Sequence, residues 1–267
     1  MLSKTACPDI SGKSRFAGKR IIFTIVFVIW TSVIFSQYKM SIKKADNTTE
    51  DIWVHDIVNL TFTNIPFTCV TNTITYAGKT YNTVLIGSQC WLKENLNVGT
   101  GIDGSSDQNN NSTIEKYCYS NDPNNCTTYG GLYQWAEAVQ YQNGATNTTN
   151  ASPALTGNVQ GICPTGWHIP TQAEYAELSS TVSDNAAALK AVGQGDGTNT
   201  SGFSALFAGN HDNANGFLHL GTSSDFWTST EFSLIEAYRL TTNSSSNSIS
   251  LGGWNKNAGL SVRCLKD

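Results

Sequence analysis

The number and positions of the cysteines constrain the fold of this chain more than any other feature of its sequence. Cys7 precedes residues 21–36, an uncharged apolar run that follows a basic stretch. The six cysteines beyond that run are Cys69, Cys90, Cys118, Cys126, Cys163 and Cys264. An even number of cysteines after an export signal is typical of a disulfide framework, so we predict three bridges among these six. Spacing alone favours only Cys118–Cys126 and leaves the other pairings open.

The N-terminal segment, residues 1–36, is predicted to direct export. Basic residues precede a short apolar run, which is the order of regions in a signal peptide. The run is shorter than the roughly 20 apolar residues that a bilayer-spanning helix needs. Ser36 suits a cleavage site but Ile34 suits it poorly, so an N-terminal membrane anchor is the alternative. We therefore expect an extracellular or cell-surface location, with membrane contact only through residues 21–36 if they are not cleaved.

Charge argues against two classes of partner. Charged residues make up 13% of the chain, about half the usual share, so Asn, Thr, Ser and Gly must supply most of the polar surface. Residues 1–36 hold five of the 16 basic residues but one of the 20 acidic residues, which leaves the remainder with a net charge of about −8. A chain this acidic has no electrostatic reason to bind nucleic acid or anionic lipid.

The first half of the chain contains weak strand and turn signals. Residues 37–66 are predicted as a linker with a short strand. Residues 73–76 and 80–86 are predicted as the two strands of a hairpin, because β-branched and aromatic residues flank an Ala-Gly-Lys turn. Residues 118–128, rich in Asn, Asp and Pro between two cysteines, are predicted as a turn closed by a local disulfide.

Helical signals are concentrated in the middle of the chain. In residues 132–141 apolar side chains recur at i, i+3, i+4 and i+7, which predicts a short helix. Thr171 and Glu174 have the spacing of a capping box and predict the start of a second helix that runs to about Val182, with Ala173, Leu178 and Val182 among its inward residues.

A further short helix is predicted within residues 185–192. From residue 193 to the end, short apolar runs alternate with Gly, Asn and Ser turns, which is typical of a β-rich half. The sequence thus predicts an α+β domain with two or three short helices and a β-rich C-terminal half.

Six ordered motifs resemble a known family. They are TYNTVLIGSQCWLKENLNVGT (80–100), YGGLYQWAEAV (129–139), GICPTGWHIPTQAEYAEL (161–178), FSALFAGN (203–210), FWTSTE (226–231) and LSVRCLKD (260–267). Together they resemble the Fibrobacter succinogenes major paralogous domain family across residues 67–267. Tyr175 stands where the family usually has Trp, and His211 where Arg is common.

The resemblance implies a C-type-lectin-like fold, shared with formylglycine-generating enzymes. In that fold a cysteine that follows the first helix is bridged to one in the last strand. The resemblance therefore implies Cys163–Cys264 and, for the remaining two cysteines, Cys69–Cys90. Four tryptophans within the family motifs are expected to build the core, namely Trp91, Trp135, Trp167 and Trp227.

No catalytic constellation is apparent in the sequence. His168 is interpreted as a hydrogen-bonded structural histidine, and His211 with Asp212 as part of a solvated loop. No Gly-x-Ser-x-Gly or His-Glu-x-x-His motif occurs. The lectin calcium site uses Trp-Asn-Asp, but this chain has Lys256 in the position of the carboxylate, which would repel the ion. We therefore expect no catalytic residue, no metal and no cofactor.

The leading functional hypothesis is a non-catalytic surface or secreted module that binds polysaccharide or a surface protein through the loops of residues 193–259. Sugar rings stack on aromatic side chains while amides and carboxylates bind the hydroxyls. The candidate ligand contacts are accordingly Trp254, Asn255, Asn210 and Asp212. One alternative is an enzyme related to the formylglycine-generating group, which uses a cysteine pair near the C-terminus, where this chain has only Cys264. Another is a structural surface or appendage protein.

Overall fold

The computed structural model describes residues 39–43, 48–53 and 67–267, and the chain divides into two compact units, Met1–Pro66 and Phe67–Asp267. In the first unit, β1 (Lys39–Lys43) pairs antiparallel with β2 (Thr49–Trp53). Both strands lie in the segment predicted as a linker with a short strand. The predicted signal peptide or anchor, residues 1–36, lies outside the described residues. Within the described ranges, no helix is long and apolar enough to cross a membrane.

The second unit, Phe67–Asp267, contains short strands, short helices and long loops. Its strands are β3 (Ile74–Tyr76), β4 (Lys79–Tyr81), β5 (Thr83–Ile86), β6 (Gln89–Leu92), β7 (Thr100–Ile102), β8 (Glu115–Tyr117), β9 (Trp167–His168), β10 (Ala208–Asp212), β11 (Gly216–Leu220), β12 (Ser223–Glu231), β13 (Glu236–Asn243), β14 (Ser246–Asn255) and β15 (Leu265–Lys266). Its helices are α1 (Pro123–Tyr129), α2 (Trp135–Ala138), α3 (Gln172–Thr181) and α4 (Ala186–Leu189). The α+β class is therefore as predicted.

The largest sheet confirms the β-rich C-terminal half. Its order is β11-β10-β12-β13-β14, with β10 parallel to β12 and the other neighbours antiparallel. The tight turn between β13 and β14 forms because Asn243 Oδ1 accepts the Ser245 N–H at 3.0 Å, as asparagine does in many turns. A second sheet has the order β5-β6-β15-β9, which places the last strand between two earlier ones.

The hairpin prediction for residues 73–86 is only partly correct. β3 and β4 do form a hairpin, but the predicted second strand is interrupted at Asn82. The Asn82 N–H and side-chain amide both donate to the Glu94 carboxylate, each at 2.8 Å. This contact diverts the chain, and β5 then pairs with β6 in a different sheet.

Two helices differ from their predictions. Residues 118–128, predicted as a turn, contain all of α1 except its last residue, and Asp122 caps this helix by accepting the Asn124 N–H at 2.9 Å. Pro123 occupies the first helical position, where its fixed φ and missing N–H suit the helix. The helix predicted over residues 132–141 is reduced to α2, although the whole predicted apolar face is buried.

The capping box that starts α3 is confirmed. The Glu174 N–H donates to Thr171 Oγ1 at 3.2 Å, and the Thr171 N–H donates to Glu174 Oε2 at 2.7 Å. Leu178 faces inward as predicted, together with Tyr175. The inward assignment of Ala173 is wrong, because Ala173 is exposed on the opposite side of the helix.

Two hydrophobic clusters and three disulfides hold the second unit together. One cluster surrounds Trp135, Trp167 and Trp227, and the other contains Trp91, so all four tryptophans assigned to the core are buried. The bridges Cys69–Cys90, Cys118–Cys126 and Cys163–Cys264 confirm every predicted pairing. Disulfides form and persist in oxidising compartments, so this framework indicates an extracellular or similarly oxidising environment.

His168 is held between two carboxylates. Its Nδ1 lies 2.7 Å from Asp267 Oδ1 and its Nε2 lies 3.0 Å from Glu174 Oε1, which agrees with the structural role predicted for it. Burial opposes the charged imidazole, but the two carboxylates outweigh burial and raise the pKa of His168. Burial likewise opposes ionisation of Glu174, but hydrogen bonds from His168 and Thr171 lower its pKa.

These shifts predict how stability depends on pH. The contribution of His168 is full below the ordinary imidazole pKa of about 6.5 and is lost as pH rises through the raised pKa of the folded state. The contribution of Glu174 is present above the ordinary carboxyl pKa of about 4.3 and is lost at lower pH. Urea unfolding of the native chain and of His168→Gln is measured between pH 4 and 9. The difference in free energy of unfolding between the two proteins is expected to be largest between about pH 4.3 and about pH 6.5. Parallel pH profiles for the two proteins would contradict this prediction.

Candidate functional site

A polar cavity of about 290 Å³ lies on the five-stranded sheet and contains two of the four candidate ligand contacts. We call it the sheet cavity. It is lined by Asn210, His219, Thr222, Ser223, Asp225, Arg239, Thr241, Asn243, Ser244, Ser245 and Trp254. Asn210 comes from β10 and Trp254 from β14, so β12 and β13 lie between them and supply the centre of the lining.

Asp225 on β12 organises the sheet cavity. The residue is fully buried, and Oδ1 accepts from the Arg239 guanidinium and, at 2.7 Å, from the Thr241 hydroxyl. Oδ2 accepts from Ser223 Oγ at 3.0 Å and from Asn210 Nδ2 at 3.2 Å. A buried carboxylate is tolerated when its oxygens are hydrogen-bonded and its charge is paired. Asp225 therefore fixes the orientation of donors from three strands.

Arg239 joins Asp225 to the aromatic wall of the sheet cavity. Its guanidinium lies over the Trp254 ring, with Cζ 3.7 Å from the ring centroid. Burial lowers the pKa of Arg239, and the nearby Asp225 carboxylate partly offsets that effect. Trp254 is half-buried, and the guanidinium covers one face of its indole. A sugar ring consequently has only the uncovered part of Trp254 available for contact.

Asn255 and Asp212 do not line the sheet cavity. Asn255 is exposed, and its Oδ1 accepts the Asn257 N–H at 3.0 Å. Asp212 Oδ1 accepts the N–H groups of Ala214 and Asn215 at 3.0 and 2.9 Å, which closes the turn between β10 and β11. Both side chains thus have local roles in turns.

The solvated loop predicted around His211 is wrong. His211 is a buried residue of β10, and its ring lies 4.4 Å from Tyr117 and 4.8 Å from Phe217, centroid to centroid. Its N–H and carbonyl both bond to Gly259, which fixes it in the sheet. Burial lowers the pKa of His211, so the neutral imidazole is favoured in this environment.

Lys256 is a buried cation next to the sheet. Its Nζ donates to Glu231 Oε1 at 2.7 Å, Asn150 Oδ1 at 3.1 Å and the Leu234 carbonyl at 3.2 Å. The ammonium also lies 4.4 Å from the centroid of the Trp135 ring. Lys256 therefore provides a buried ammonium with three oxygen acceptors.

The Asp225–Arg239 pair was missed by sequence reasoning. The sequence does contain a local signal for this pair. Asp225 immediately precedes the apolar Phe226 and Trp227, and Arg239 lies between Tyr238 and Leu240. Opposite charges inside two consecutive strands predict a cross-strand pair when the strands are neighbours. The structure shows that β12 and β13 are adjacent strands, in which Asp225 lies opposite Thr241 and Arg239 lies opposite Trp227.

Comparison with known proteins identifies one family. The family model described as the Fibrobacter succinogenes major domain matches residues 84–266. No curated protein and no solved structure matches the chain. The matched range begins within β5 and ends within β15, so it includes every residue that lines the sheet cavity.

Proposed function

We propose, since the chain belongs to the Fibrobacter succinogenes major domain family, that it is an exported, non-catalytic module that binds carbohydrate in the sheet cavity. One observation carries the proposal. Amide and hydroxyl side chains surround a buried ion pair beside a half-buried tryptophan, in a cavity of about 290 Å³. Carbohydrate hydroxyls require donors and acceptors that are held in place, and the Asp225 network holds them.

The rim of the sheet cavity provides exposed polar groups, and the hydroxyls of Thr222 and Ser245, although they donate to His219 and Asn243, keep lone pairs that can accept from a ligand. His219, Thr222, Ser244 and Ser245 are exposed, and each carries a polar side chain. Asp225, in contrast, already accepts four hydrogen bonds. We therefore assign recognition of the ligand's hydroxyl groups to the rim. Asp225 positions the polar side chains that it accepts from, and Trp254 provides the apolar contact.

The disulfides support export and a non-catalytic role. All six cysteines of Phe67–Asp267 are bridged, which leaves no thiolate in this unit for the chemistry of the formylglycine-generating group. A C-type-lectin-like fold is part of the same proposal. Its support is Cys163–Cys264, which joins a segment after α2 to the residue before β15. We also propose that residues 1–36 direct secretion or anchor the protein at the cell surface.

Substitution of Trp254 tests the proposal. Trp254→Ala is expected to weaken carbohydrate binding about tenfold, because large aromatic contacts dominate small binding sites. Glycan-array screening would find the ligand, and isothermal titration calorimetry would measure the change. Asn255→Ala is the matched control, since it alters the adjacent exposed residue outside the cavity lining and is expected to bind normally.

Two results would contradict carbohydrate binding in the sheet cavity. One is the absence of binding to every polysaccharide tested, and the other is equal affinity for Trp254→Ala and Asn255→Ala. Capture of a surface protein, lost in Trp254→Ala, would instead assign the sheet cavity to a protein ligand. Circular dichroism of each variant would show whether the fold is intact.

A further inference from the structure

A second cavity, of about 400 Å³, lies away from the sheet cavity and has basic character. We call it the basic cavity. It is bounded by residues near β4 and β6, by the C-terminal part of α1 and by Arg263 just before β15. Its charged lining residues are Lys79, Lys93, Glu94 and Arg263. The excess of positive charge is unexpected in a chain whose formal net charge is −4.

Arg263 is the most unusual residue of the basic cavity. It is 1% exposed, and its guanidinium lies 4.3 Å from the centroid of the Phe203 ring. One Nη donates to the Phe203 carbonyl and the other to Asn95 Oδ1 at 2.5 Å, while Nε has no partner within the described ranges. Neutral oxygens thus satisfy part of the guanidinium, but they do not neutralise its charge.

No carboxylate among the described residues lies at ion-pairing distance from Arg263, Lys79 or Lys93. Glu94 lines the basic cavity, but both of its oxygens accept hydrogen bonds from Asn82. The charged lining residues therefore carry three positive charges and one negative charge. Burial of a cation without a direct ion-pair partner is costly, and an anion that enters the cavity would offset that cost.

Two partly buried lysines, Lys79 and Lys116, have ammonium groups that burial disfavours. Burial lowers the pKa of Lys79, although the Glu94 carboxylate opposes the change. Burial, together with the charge of Lys79, also lowers the pKa of Lys116, whose Nζ donates to Asn97 Oδ1 at 2.6 Å. An anion bound beside Lys79 would offset this desolvation and favour its ammonium form.

We propose that the basic cavity binds the carboxylate of a hexuronate, a sugar acid. Lysine and arginine are the side chains that bind carboxylates by charge-assisted hydrogen bonds. Thr128 Oγ1 donates to the Asn124 carbonyl at 3.1 Å, which leaves its lone pairs free to accept a sugar hydroxyl.

The size of the basic cavity agrees with this ligand. About 400 Å³ falls within the range of small-molecule sites and accommodates a sugar unit. The site is independent of the proposed function, because the two cavities share no lining residue. Loss of binding in one cavity is therefore expected to leave the other unaffected.

Titration calorimetry of the full chain with four probes tests the proposal. The probes are galacturonate, an oligogalacturonate, an uncharged galacto-oligosaccharide of the same length, and inorganic phosphate. Galacturonate and the oligogalacturonate are expected to bind, with affinity that falls as salt increases. Stronger binding of the oligomer than of the monomer would identify a polymer as the source of the carboxylate, and equal binding would identify the free acid.

Lysine variants locate the binding. Lys79→Gln and Lys93→Gln are each expected to weaken galacturonate binding about tenfold, since each removes a charge-assisted contact. Lys266→Gln is the matched control, because it removes the same charge outside both cavities and is expected to bind normally. These variants leave the buried Arg263 unchanged, so the packing of the core is preserved.

Three outcomes would overturn the proposal. They are no binding of either acidic probe, equal binding of the acidic and uncharged oligosaccharides, and equal loss of affinity in Lys93→Gln and Lys266→Gln. Binding of phosphate without binding of galacturonate would also overturn it, because the site would then select a dianion.

Discussion

Replacing both Cys163 and Cys264 with alanine is expected to lower the free energy of unfolding by about 4–5 kcal/mol. The bridge closes a loop with a sequence separation of 101, so its loss greatly increases the conformational freedom of the unfolded chain. Both cysteines are fully buried within the cluster around Trp135 and Trp227, so the double variant also loses packing. Urea unfolding monitored by tryptophan fluorescence measures the change.

The short bridge Cys118–Cys126 is the matched control for this experiment. Its sequence separation is 8, so the same double replacement is expected to cost about 2–3 kcal/mol. Both experiments remove one disulfide and two sulfur atoms, and they differ mainly in the size of the loop released. Equal losses in the two variants would contradict the assignment of the larger effect to loop size.

Lys256→Met is expected to lower the free energy of unfolding by about 3–5 kcal/mol. The ammonium of Lys256 is fully buried and lies 2.7 Å from Glu231 Oε1, and Glu231 is itself 13% exposed. Methionine preserves much of the side-chain volume but leaves the Glu231 carboxylate largely buried without its cation. Removing one partner of such a pair costs more than the pair contributes, because an uncompensated charge remains.

A double-mutant cycle separates charge from packing. Glu231→Gln combined with Lys256→Met is expected to be more stable than Lys256→Met alone, because no isolated charge is left. Urea midpoints of the native chain, both single variants and the double variant give the coupling energy. Additive effects of the two single substitutions would show that Lys256 acts through its packing on Trp135, and would contradict the prediction.

Local chemistry explains why several elements could be predicted from the sequence. The capping box of Thr171 and Glu174 depends on contacts three residues apart, and the spacing of Cys118 and Cys126 makes their bridge local. The bridge Cys163–Cys264 was predicted for a different reason, because it was implied by family resemblance.

Errors arose where a distant residue decides the local structure. The strand predicted for residues 80–86 is interrupted because Glu94 binds Asn82, and no local pattern contains that contact. The Asp122-Pro123 step was interpreted as a turn, although the same pair is also suited to cap a helix. Turn and helix start share these residues, so composition alone did not distinguish them.

The candidate site was predicted less completely than the fold. Asn210 and Trp254 were selected from their residue types, and the strand order brings them to one cavity. Asp225 and Arg239 were missed because their roles depend on the register between β12 and β13. Polar residues inside strands acquire a function only when pairing brings them together, and sequence patterns do not specify that pairing.

The two oxygens of Glu174 link the start of α3 to His168. Oε2 accepts the Thr171 N–H, and Oε1 lies 3.0 Å from His168 Nε2, so one carboxylate serves both contacts. Replacement of Glu174 disturbs both contacts at once, and an aspartate is too short to span them. Across related sequences, positions 168, 171 and 174 are therefore expected to covary as a group.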